Sequence, residues 1–197
     1  MKANHSIALA LFTLLLVGCG DSNQQVIAEI GYGELDGGVY INDYFGVSIP
    51  VPEDWHAQDR QAIEDLEKTG SDLVAGGNQS LKASLEAAEQ NTLTLLSVFE
   101  HPIGAPVQFN PSINIVAEKI SQFPGIKTDD DYLYHSKELL KQAAIPYTFP
   151  KGNYDEDLGG ITFRVMEAQA NMGGIMLTQR FCVTRIKDYM FVIVLSH

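Results

Sequence analysis

The chain has 197 residues, 45% of them apolar and 19% charged, which is the balance of a folded domain and excludes a disordered or coiled-coil protein. Its formal charge of −12 weighs against nucleic-acid binding and against direct adhesion to anionic headgroups, since both need basic clusters to meet phosphate charge. Two cysteines, Cys19 and Cys182, are too few to staple a fold of this length, so a hydrophobic core of ordinary size is expected to hold it.

Met1 to Ser6 is polar, with Lys2 as its one firm positive charge. Ile7 to Val17 is free of charge and has the length of a signal h-region, short of the roughly 20 residues that a spanning helix needs. It closes on Leu16-Val17-Gly18-Cys19, and a hydrophobic run ending in small residues and a cysteine resembles the lipobox of bacterial lipoproteins. That resemblance implies a diacylglyceryl group on the Cys19 thiol, cleavage between Gly18 and Cys19, and a lipidated N-terminus. Two or three acyl chains anchor a protein stably where one does not.

The expected organisation is a signal peptide over 1–18, a lipidated cysteine and tether over 19–38, and one domain over 39–197. Gly20 to Gln25 is a short polar tether, which places the domain close to the bilayer. Loss of Lys2 with the leader makes the mature chain one unit more acidic, so lipid and not charge is expected to do the holding. Gly20 follows the cysteine and Asp21 comes one place later, leaving the cell membrane and the outer membrane as alternatives.

Val26 to Gly38 carries Gly31, Gly33, Gly37 and Gly38 without the spacing of a nucleotide loop, and turn chemistry suffices for it. Phe45, Val47, Ile49 and Val51 alternate with Gly46, Ser48 and Pro50, the period of a strand buried on one face. Asn42-Asp43 reads as the turn joining it to a strand before, Pro50 and Pro52 put it at an edge, and Trp55 closes it as a core anchor. Helices are expected over Ala57–Lys68, through Ala62, Ile63 and Leu66, and over Asn78–Gln90, through Leu81, Leu85 and Ala88, with Gly70–Gly77 between them.

Thr92–Phe99 is apolar on both faces, Leu93, Leu95 and Phe99 one way and Leu96 and Val98 the other, so it is expected to be central. Ser112–Ala117 is the next strand, Asp129-Asp130-Asp131 sits where helix-capping acids belong, and Tyr132–Ala144 is helical until Pro146. Ile161–Ala170, Ile175–Ile186 and Tyr189–Leu195 form a meander. The last strand is wholly apolar from Met190 to Leu195, which leads to the expectation of a further helix beyond His197.

The run Val39 to Trp55 and the segment Asn110-Pro111-Ser112-Ile113-Asn114-Ile115-Val116, with the helix and meander that follow, resemble PsbP/Mog1-like domains. The resemblance implies an α+β fold, an antiparallel sheet flanked by helices on both faces in an α/β/α sandwich. Members of that group mostly bind other proteins. The two helices between Trp55 and Asn91 stand out as an expansion, and no functional residue of the family carries over.

Chemical motifs are sparse. His56, His101 and His135 lack metal-ligand spacing, so no metal or cofactor is expected. Asn153-Tyr154-Asp155-Glu156-Asp157 imitates the start of a calcium loop, but Leu158 stands where Gly is required and Arg164 where Glu is required. Neither a G-x-S-x-G elbow nor an S-x-x-K sequence occurs, and no catalytic residue is assigned. Cys182 lies in strand-like sequence and reads as a buried small hydrophobe. The leading expectation is a non-catalytic, membrane-anchored module with an envelope protein as partner. The competing one is an envelope enzyme or small-ligand receptor whose site lies between the sheet and the two inserted helices.

Overall fold

A computed structural model describes residues 30–121 and 123–197. The Leu16–Cys19 tetrad, with the cleavage and lipidation positions Gly18 and Cys19, lies outside the described residues. The strands and helices are, in chain order, β1 (Glu34–Asp36), β2 (Val39–Asn42), β3 (Val47–Pro50), β4 (His56–Ala57), α1 (Arg60–Ala75), α2 (Gln79–Glu89), β5 (Thr92–Phe99), β6 (Ser112–Lys119), α3 (Asp129–Leu140), β7 (Tyr147–Thr148), β8 (Tyr154–Leu158), β9 (Ile161–Met172), β10 (Ile175–Ile186) and β11 (Tyr189–Ser196). The fold is α+β, mostly strand, and its pairings are antiparallel.

The large sheet runs β4-β5-β6-β11-β10-β9-β7, with β8 paired to the same edge of β9. The expected centrality of the last strand holds: β11 lies between β6 and β10 along its whole length. Its alternation splits two cores. Met190, Val192 and Val194 join the core shared with α1, α2 and α3, through Val74, Leu81, Leu85, Tyr132, Leu133 and Leu140. Tyr189, Phe191 and Ile193 join the other core, built with Tyr40, Phe45, Val47 and Val51.

Helices on both faces of the sheet, as expected of the sandwich, are not shown. Residues of α1, α2 and α3 enter one core, and among the described residues the opposite face carries the three-stranded sheet β1-β2-β3 and the helical residue Ile30. The N-terminal strands β1, β2 and β3 pair with one another and bury Tyr40, Val47 and Val51 face to face with the large sheet. β1 itself falls where turns alone were expected.

Local details differ for identifiable reasons. α1 runs through Gly70 to Ala75, because Asp59 caps its start and Gly76, in the left-handed region at φ 53°, supplies its stop only there. A Cβ at Gly76 would collide with that of Ala144. α3 is capped by Thr128, not by the acids after it. Asp131 answers back to the Thr128 amide to complete a capping box, and Asp129 and Asp130 fill the first turn. β5 carries a bulge between Thr94 and Leu96, so Leu93, Leu95, Leu96 and Val98 all enter the small-sheet core instead of splitting evenly. The calcium-like run is β8, whose Asp155 and Arg164 stand opposite each other in the ladder and form an ion pair at 3.0 Å.

Candidate functional site

The described chain enters through Ile30, which is buried against the small-sheet core. Gly33 follows at φ 75°, and an added Cβ there would sit 2.6 Å from the Ile41 carbonyl and 2.7 Å from the Tyr40 hydroxyl, so only glycine fits. Tyr40 is buried and donates to the Tyr32 carbonyl at 2.8 Å, while Asn42 donates to the Tyr40 hydroxyl and accepts from the Phe45 amide at 3.2 Å. These bonds fix one wall of a cleft of about 400 Å³ lined by Ile30 to Glu34 and Ile41 to Tyr44.

Its side chains are aromatic, aliphatic and acidic: Tyr32, Tyr44, Ile41, Glu34 and Asp43. Ile41 is 44% exposed, and Leu35 on the same hairpin is 39% exposed. Among the described residues the lining offers apolar contact surface and the negative charge of Glu34 and Asp43. The cleft is anchored to the large sheet through the β10–β11 turn. Lys187, at φ 56°, donates to the Tyr44 carbonyl at 2.8 Å and sits 3.7 Å from the Tyr44 ring centroid.

A second cluster lies where the inserted helices meet the sheet edge. Arg60 uses its guanidinium fork on the carbonyls at the β5 bulge, Thr94 at 2.6 Å and Leu95 at 3.2 Å. Glu67 of α1 accepts from the Thr94 hydroxyl, and Glu89 of α2 accepts from Ser71 at 2.7 Å. Burial raises the Glu67 pKa above the ordinary carboxylate range, and nearby Glu89 adds to that, against the lowering pull of the Thr94 bond and of Arg60.

A third array covers the strands β8, β9 and β10. Glu167 pairs with Lys151 at 2.7 Å and accepts from Tyr154 at 2.9 Å, and Arg180 pairs with Glu156. The Lys151 bond holds the Glu167 carboxyl below its usual range. Beside this array Cys182 is fully buried and free, and burial pushes its thiol up to about 11, so the thiolate is scarce and the residue is unreactive at neutral pH.

Among the described residues no three His, Cys, Asp or Glu side chains come together as a metal site would, and no described helix is long and apolar enough to cross a membrane. His56 is exposed on β4, and His101 and His135 are half-buried, none joined to another. Sequence reasoning missed Glu67, Arg180 and a buried pair in the helix-face core, Glu118 and Tyr132. Glu118, a lone acid on the helix-facing side of an apolar strand, could have been found by asking what partners it.

No protein-family model and no curated protein matches the chain. Among solved structures it is similar to PA94 of Pseudomonas aeruginosa, a protein of unknown function, at 18% identity and TM-score 0.36 over 54% of this chain. It is also similar to LpqN of Mycobacterium tuberculosis, a protein involved in cell envelope biogenesis, at 16% identity and TM-score 0.38 over 75% of this chain. In each case the match spans 66% of the other chain. Likeness at this level carries no information on function.

Proposed function

We propose that this chain is an extracytoplasmic lipoprotein, held to a cell or outer membrane by acyl chains on Cys19. Its PsbP/Mog1-like domain docks on an envelope protein and catalyses no reaction. The observation that carries the reading is the tetrad Leu16-Val17-Gly18-Cys19 at the close of an uncharged run of h-region length. The cleft between Ile30 and Tyr44 supports it as a contact surface, since it carries the exposed Ile41 beside Glu34 and Asp43.

Detergent-phase partition from a bacterial host tests the anchor. Wild type is expected in the detergent phase and C19A in the aqueous phase. Equal partition of the two would overturn it. A pull-down from detergent-solubilised membranes tests the docking, with a stoichiometric partner expected and its loss expected in I41D. The Glu67–Glu89 cluster is the observation that favours the competing reading, a ligand site between sheet and inserted helices. Under that reading a small molecule would raise the melting temperature of wild type and not of E67Q.

A further inference from the structure

The helix-face core contains one ionisable side chain without a full set of partners. Glu118 stands near the end of β6, flanked in the ladder by Thr92 of β5 and Met190 of β11. It is fully buried. Its Oε2 accepts from the Tyr132 hydroxyl of α3 at 2.8 Å, and its Oε1 has no partner.

Among the described residues no charge faces it. Thr92 and Met190 are neutral, and the residues that share the core with Tyr132, among them Ile120, Phe123, Ile126 and Leu133, are apolar. Lys119 is next along the strand and so points to the other face, with its Nζ 5.8 Å from the Tyr189 ring centroid. Glu89, at the end of α2, is held by Ser71. Tyr132 is thus the one titratable group in contact, and burial raises both its pKa and that of Glu118 well above their ordinary values. A carboxylate stripped of water and given a single hydrogen bond is far less stable than the neutral acid.

We propose that Glu118 and Tyr132 form a proton-dependent latch, which holds α3 on the sheet while Glu118 is protonated and releases it when Glu118 ionises. α3 is the moving element because β6 is hydrogen-bonded along its length to β5 and β11, whereas α3 meets the sheet through its side chains: Tyr132, Leu133, Leu139 and Leu140 in the core, and at its first turn Asp130, paired with Arg164 of β9, and Asp129, which accepts from the Arg185 amide of β10. Release admits water to Glu118, which then ionises as an ordinary carboxylic acid, so opening sheds one proton. From the ordinary carboxylate range up to the raised value of the closed state, each pH unit increases the opening constant about tenfold. Below that window the latch is insensitive to pH, and above it the effect levels off.

Amide exchange of the full-length protein, read by mass spectrometry from about pH 5 to about pH 9, tests this against E118Q. Dividing the wild-type rate by that of the variant at each pH cancels the base catalysis of exchange itself. For α3 amides the ratio is expected to climb with pH, by up to about tenfold per unit, and wild-type α3 is expected to lose protection at a lower opening free energy than β6 and β11. A ratio for α3 that does not change with pH would overturn the latch. So would wild-type α3 amides that open with the same free energy as those of β6 and β11 at every pH, which would make the release of α3 inseparable from unfolding of the whole domain. E118M, uncharged and of similar length, serves as the reference should E118Q fail to fold.

Discussion

The two faces of the large sheet are filled by different chemistry. The face under the small sheet is aromatic: Phe45 meets Tyr189 edge-on at 5.8 Å and Phe191 at 5.1 Å, and Tyr44 meets Tyr189 at 5.8 Å. The face under the helices mixes aliphatic residues with buried polar ones. There Tyr147 donates to Gln179, which donates to Ser196, and Ser97 donates to Asn114, which donates to Ser112. Three strands of three or four residues cannot stand alone, so the small sheet takes its stability from the rings it places on its neighbour. The helices satisfy their own backbones and leave room for polar side chains, provided each finds a partner. Glu118 is where that provision fails.

Breaking the aromatic face should cost the most. F191A removes a fully buried ring that touches Phe45 and Phe163 and is expected to destabilise the domain by about 3–5 kcal/mol in urea unfolding. F45A should fall at the low end of that range, about 3 kcal/mol, and should expose β1–β3 to amide exchange before any other strand. G33A strains a positive φ and meets the Ile41 carbonyl, an effect on the order of 2 kcal/mol confined to the same small sheet. On the helix face, T128A removes the α3 cap and is expected to cost about 1 kcal/mol by thermal unfolding.

The smallest effect separates surface charge from both faces. Asp130 is held below its ordinary range, first by the Asn153 hydrogen bond and then by Arg164, and Glu167 is held down by Lys151. Depressed carboxylates contribute stability above their unfolded pKa and lose it as pH falls through the lower folded value. A melting series below about pH 4 should show that loss, with a shallower decline in R164A. Glu118 acts in the opposite sense, since its raised pKa disfavours the folded state progressively above the ordinary carboxylate range.

Elements governed by local pattern were legible in the sequence. The two-faced strand Met190–Leu195 is central, Leu81, Leu85 and Ala88 are buried on α2, and the three long C-terminal strands lie where their apolar runs placed them. What escaped depends on partners far along the chain. β8 is acidic and becomes a strand because β9 offers it an edge and Arg164 a counter-charge. The β5 bulge is stabilised by Arg60, which no alternation rule could anticipate. The packing of the small sheet on the large one rests on residues far apart in the chain, Phe45 meeting Tyr189 and Phe191. Of the candidate site, Asn42–Asp43 was visible as a turn, but the cleft beside it needs Gly33, just before β1, to approach Ile41 of the neighbouring β2, a contact without a sequence signature.

The claim that organises the rest is the lipid on Cys19, and mass spectrometry of the N-terminal peptide of the mature protein tests it most directly. The expected peptide begins at Cys19 and carries the added mass of a diacylglyceryl group. A peptide that begins upstream of Cys19, or one with an unmodified thiol there, would contradict it.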